Sequence, residues 1–78
     1  MRFELVIIEE CWPSGCTIVG FSSVHRLREL LMELGYRIDQ NKIEKLEERL
    51  DNHGCACIPL SEGAEYPALC ISRVLVLL

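Results

Sequence analysis

The two ends of this chain are its most apolar segments, and that constrains the fold more than anything else in the sequence. Near the N-terminus Phe3, Leu5 and Ile7 alternate, while Val6 and Ile8 fill the opposite face of the same run. Near the C-terminus, residues 69–77 are apolar except for Ser72 and Arg73. A strand that is apolar on both sides belongs inside a sheet, because an edge or a solvated face would leave half of it in water. Both terminal strands, over 3–10 and 69–77, are therefore expected to lie centrally. The rest of the chain must supply the outer strands and a layer to cover at least one face.

The intervening sequence reads accordingly. Trp12, Pro13, Ser14 and Gly15 make a turn signature. Residues 16–21, with Thr17, Ile18, Val19 and Phe21, predict a second strand that forms a hairpin with the first. Ser22 or Ser23 is the expected N-cap of a helix over 24–34. Val24, Leu27, Leu30, Leu31 and Leu34 form its apolar stripe, and Gly35 stops it. Asp39 caps a second helix, with Ile38 and Ile43 placed as a hydrophobic staple. Ile43, Leu46 and Leu50 make a narrow stripe there, and Gly54 ends the helix after His53. A short strand over 55–60, a loop over 61–68 and the last strand complete the chain. The order is ββααββ. It predicts an α+β two-layer sandwich: a four-stranded, mainly antiparallel sheet with two helices on one face, as one domain spanning 1–78. The other sheet face is expected to be partly apolar and open, a candidate interaction surface.

Charge and composition exclude several functions. The 78 residues carry a formal charge of −4, which disfavours direct nucleic-acid binding because no basic stripe is available to displace phosphate counterions. An anionic membrane surface is disfavoured for the same reason, and an acidic surface suits a basic partner. The apolar run before Glu9 is too short for a signal-peptide core, and the run from Val74 to Leu78 is far short of a membrane span. The expectation is a cytoplasmic protein with reduced thiols. Half the residues are hydrophobic, which for so short a chain implies a dense core or a patch covered by a partner or a second copy, so a homodimeric module is a further reading.

The 5 cysteines decide between a metalloprotein, a redox protein and a plain small domain. Cys11 and Cys16 flank the Trp-Pro-Ser-Gly turn. Cys55 and Cys57 alternate along a strand and so share a face. A zinc site of Cys11, Cys16, Cys55 and Cys57 follows if the hairpin turn meets that strand, but the Cys-x-Cys spacing lacks the tight turn of a zinc knuckle. The simpler reading is small buried hydrophobes with no cofactor. Cys11 and Cys16 could pair across the hairpin under oxidising conditions, an incidental bond on this reading, and the odd count leaves at least one thiol outside any pairing within the chain. No Cys-x-x-Cys opens a helix, the position that activates a thiol.

Catalysis finds no constellation. His25 and His53 fall at helix ends, and the acid pairs Glu9–Glu10 and Glu47–Glu48 read as solvated edges. The expectation is a protein that is not an enzyme and works by contact. Trp12, beside the turn, is the natural anchor, with Glu9 and Glu10 next to it. Glu44, Glu47, Glu48 and Asp51 form an acidic helix face, interleaved with Lys42, Lys45 and Arg49, that could steer the protein onto a basic groove.

In size, acidity, α+β character and the acidic helix over 39–51, the chain resembles the small inhibitors that phages and mobile elements encode against host defence, anti-CRISPR proteins above all. The resemblance implies inhibition by binding: occupation of a basic or subunit-contact surface of a CRISPR effector or similar nucleic-acid-handling complex, in the host cell cytoplasm, with no chemistry. No functional residue carries over, because no motif is shared. The interleaved lysines depart from the strongly acidic nucleic-acid mimics.

Overall fold

A computed structural model describes residues 1–78. Strand β1, Arg2–Trp12, turns at Pro13 and Ser14 into β2, Gly15–Ser22. A 3-10 turn, Val24–Arg26, leads into helix α1, Leu27–Glu33. Helix α2 spans Gln40–His53, followed by β3, Cys55–Pro59, and β4, Ala68–Leu77. The sheet runs β2-β1-β4-β3 with every pair antiparallel. The two terminal strands are therefore central, as their two-sided apolar pattern demands. Their ladder is unbroken from Arg2 opposite Leu77 to Cys11 opposite Ala68.

Alternation along the strands divides the sheet into two faces. One face presents Val6, Ile8, Ala56, Leu69 and Ile71, and on it pack Leu27 and Leu31 of α1 and Leu46 and Leu50 of α2, all buried in one cluster. Val19, Tyr36, Ile38 and Ile58 close its margins. The other face carries no helix.

Helix α2 starts and stops where its sequence signals stand. The Asp39 carboxylate accepts a hydrogen bond from the Asn41 N–H at 3.1 Å, and Gly54 closes the helix in the left-handed conformation at φ 78°. The first helix differs from expectation. Ser23 precedes it but makes no side-chain cap, and the Arg26 N–H bonds to the Ser23 carbonyl at 3.2 Å. The opening turn thus tightens to 3-10 geometry and the α-helix begins only at Leu27. Arg28 of α1 donates from Nε to both carboxylate oxygens of Glu47 on α2 at 3.1 Å, tying the helices together. That hydrogen bond, outweighing desolvation, raises the Arg28 pKa above its ordinary value.

Arg73 fastens the helix layer to the central strands. Its Nη2 donates to both Glu4 carboxylate oxygens at 2.7 and 2.8 Å, and its Nη1 donates to Asp51 at 3.2 Å and to the Leu50 carbonyl at 3.4 Å. One side chain thus links β1, β4 and the last turn of α2, where a cation also favours the helix dipole. We expect Arg73→Ala to lower unfolding free energy by about 1–2 kcal/mol in urea titration, since the group is partly shielded and makes charge-assisted bonds. Leu46→Ala, which empties a fully buried site, is expected to remove about 2–4 kcal/mol. Met32→Ala, at an exposed position, is expected to stay within about 0.5 kcal/mol of wild type.

Candidate functional site

The helix-free face is an ordered grid of side chains. Reading across β2, β1, β4 and β3, one row holds Cys16, Cys11, Ala68 and Pro59; the next holds Ile18, Glu9, Cys70 and Cys57. The third holds Phe21, Ile7, Ser72 and Cys55, and beyond it Leu5 faces Val74 and Phe3 faces Val76. Glu9 is the only charged residue on this face. All five cysteines lie on it.

Register then decides the cysteine chemistry. Cys11 is directly opposite Cys16 and Cys57 directly opposite Cys70, with Cα–Cα separations of 4.0 and 4.1 Å, and each pair forms a disulfide. Cys55 is free and exposed. The expectation of reduced, buried cysteines is therefore corrected: only Cys11 is buried, while Cys16, Cys55 and Cys57 are exposed and Cys70 is intermediate. They behave as members of an uncovered sheet face. The proposed zinc set is not assembled either. Of Cys11, Cys16, Cys55 and Cys57, the first two are bonded to each other and Cys57 is bonded to Cys70, and a sulfur in a disulfide is no thiolate ligand. No group of three or more His, Cys, Asp and Glu side chains is placed to hold a metal ion.

Both disulfides line a pocket of about 730 Å³ at the hairpin end of the sheet. Its walls include Trp12 from the end of β1, Ile58 and Pro59 from β3, and Ala64, Glu65 and Tyr66 from the β3–β4 connection. The connection is held in place where the Leu60 N–H donates to the Pro67 carbonyl at 2.9 Å. Within it, Gly63 takes a positive φ of 76°, which a side chain would strain. Trp12 is 49% and Tyr66 44% exposed, so two large aromatic surfaces stand half in water around an apolar floor. The volume falls within the roughly 300–1,000 Å³ of ligand-sized clefts. Glu65 is the only charged group in the lining. On the helix side of the same strand, burial and then the nearby Glu10 carboxylate raise the pKa of the Tyr36 phenol.

No family model, no curated protein and no solved structure matches the chain.

The remaining sequence candidates are distributed over both sides of the sheet. Trp12 joins the pocket, and Glu9 lies on the helix-free face, in the row of Cys57 and Cys70. Glu44, Glu47, Glu48 and Asp51 are on α2, across the sheet from Glu9. Glu47 is engaged by Arg28, Asp51 by Arg73, and Glu44 accepts from the Gln40 amide at 3.1 Å. The acidic helix face is thus partly neutralised by its own protein. Tyr66, whose place in a connection is legible from the sequence, reaches the pocket through the path of the β3–β4 connection, and the Cys57–Cys70 bond depends on strand register, which no local signal reports. His25 and His53 are both exposed, one in the 3-10 turn and one at the end of α2. No helix is long and apolar enough to cross a membrane.

Thiol titration checks this cysteine assignment. Protein unfolded without reductant is expected to react with about one equivalent of thiol reagent per chain, placed on Cys55 by peptide mapping. Cys55→Ser is expected to abolish that reaction while leaving cross-linked peptides containing Cys11 with Cys16 and Cys57 with Cys70.

Proposed function

We propose that the protein is a non-enzymatic binding module whose main partner contact is the hairpin-end pocket. The observation that carries this reading is an open apolar pocket walled by a half-exposed Trp12 and a half-exposed Tyr66. Tryptophan and tyrosine dominate interface energetics when their ring faces are desolvated against a partner. The flanking disulfides hold the strands beneath them, so less ordering is required when a partner arrives.

The partner class follows from the resemblance and from charge. The reading is an inhibitor of the anti-CRISPR kind, acting in the host cell cytoplasm, that occupies a basic or subunit-contact surface of a nucleic-acid-handling complex. Glu65 in the pocket, with Glu9 further along the same face of β1, would favour a basic residue entering between the aromatics, while Glu10 lies on the helix side. Glu44 and Glu48 on α2 would contribute to long-range steering, while Glu47 and Asp51 are already matched by arginines. Because a reducing cytoplasm works against disulfides, this reading also requires that binding survive reduction.

The test is binding to purified CRISPR effector complexes by calorimetry, with and without a thiol reductant. Trp12→Ala and Tyr66→Ala are each expected to weaken binding by about 10- to 100-fold, the range of interface hot spots. Charge reversal at Glu44 and Glu48 together is expected to slow association and to flatten its salt dependence, with a smaller effect on affinity. Full affinity in both aromatic variants would overturn the pocket as the contact. Loss of all binding under reductant would overturn the cytoplasmic setting.

A further inference from the structure

We propose that the helix-free face of the sheet is covered by a second copy of this chain, giving a twofold dimer in which the two sheets pack face to face. This goes beyond the pocket reading and does not depend on it.

Charge segregation is the first support. The chain has 20 ionisable Asp, Glu, Lys and Arg side chains, yet the helix-free face presents Glu9 alone. The others lie on the helix side of the strands, on the helices or in the connections. Two copies with a net charge of −4 each repel through most of their surface. Through this face they can meet with little charge to desolvate. A strongly basic partner would find a single carboxylate here, so most of the face suits an equally neutral, apolar surface.

Burial is the second. Half the residues are hydrophobic, but only 12 of 78 are buried. Phe3, Ile18 and Phe21 are 43%, 52% and 56% exposed, and all three stand on this face around half-buried Leu5, Ile7, Val74 and Val76. A domain this small is marginal when its core is this limited, and oligomerisation is a common remedy.

Shape and area are the third. Twisted sheets of the same hand pack aligned about 10 Å apart with interdigitating side chains, so a sheet face complements a second copy of itself. The strands have 11, 8, 5 and 10 residues. At roughly 3.3 × 4.8 Å per residue the face covers roughly 540 Å² in plan, or roughly 1,100 Å² for two copies before side-chain relief is counted. That clears the about 1,000 Å² expected of a specific interface. That area is the whole face, so the contact takes in the rows of Glu9, Cys11, Cys57 and Cys70 at the floor of the pocket as well as Leu5, Ile7, Ser72 and Val74. Edge-to-edge pairing is less favoured, since β3 is short and contains Pro59, and the β2 edge is broken by the irregularity opposite Ile8 and Glu9.

The experiment is sedimentation equilibrium on Cys55→Ser protein from about 1 to 100 μM, the substitution excluding a dimer made by an intermolecular disulfide. A mass of twice 8.9 kDa is expected. Ile7→Lys, at the centre of the face, is expected to give a monomer with an unchanged circular dichroism spectrum. Phe21→Glu, at the periphery, is expected to raise the dissociation constant at least about 10-fold, and it serves if Ile7→Lys does not fold. A monomer mass at all concentrations overturns the proposal. So does a dimer indifferent to every folded face variant, or one broken only by Thr17→Pro on the β2 edge. Partner binding through Trp12 is decided by its own calorimetry, run on a monomeric face variant so that the dimer contact does not cover the pocket floor.

Discussion

The pairing of β1 with β4 is the interaction on which the rest depends. It joins the chain's two ends along ten consecutive residue pairs, and even the first and last residues bond, Met1 to Leu78, at 2.7 and 2.9 Å. Its register sets which side chains face the helices. A slip of β1 by one residue against β4 would send Val6 and Ile8 to the wrong side and bring up Leu5 and Ile7 in their place. It also puts Glu4 next to Arg73, whose guanidinium then reaches α2. The helix layer, the outer strands and the cysteine positions all take their places from this one ladder.

Much of this architecture is legible in the sequence. The central position of the end strands followed from their being apolar on both faces. Helix α2 was legible from Asp39 and Gly54, because a side-chain cap and a left-handed glycine are local chemistry. The start of α1 was less so. Ser23 has the right side chain, but the turn after it closes through the backbone instead. The ββααββ order and the two-layer arrangement stand as expected.

The candidate site was only partly legible, for a physical reason. Trp12 and the Cys11–Cys16 geometry are short-range features, visible from their symmetric placement about a turn. Cys57 and Cys70 are 13 residues apart, and only the register of β3 on β4 makes them neighbours. Tyr66 enters the pocket through an irregular connection that no periodicity reports. Reading the cysteines as buried hydrophobes failed because the open sheet face is itself apolar, so composition could not separate it from the core face. The acids of α2 looked like one surface in the sequence. Ion pairs to Arg28 and Arg73, made across elements, reduce that surface to fewer free charges.

The two disulfides are confined to the two outer strand pairings, and neither crosses from β1 to β4. Covalently, the molecule is two closed halves: a hairpin carrying α1 and a hairpin carrying α2, joined only by the segment around Gly35 and Asp39. Each half brings its own cross-link, its own helix and one apolar strand that has no use outside the other half. The fold is thus a complementation of two pre-stapled pieces, held together without any covalent cross-link by hydrogen bonds, apolar packing and the Arg28–Glu47 and Arg73–Glu4 ion pairs. A cut in the connecting segment would leave every cross-link intact and every strand partner available, so the pieces carry what they need to find each other again as separate chains.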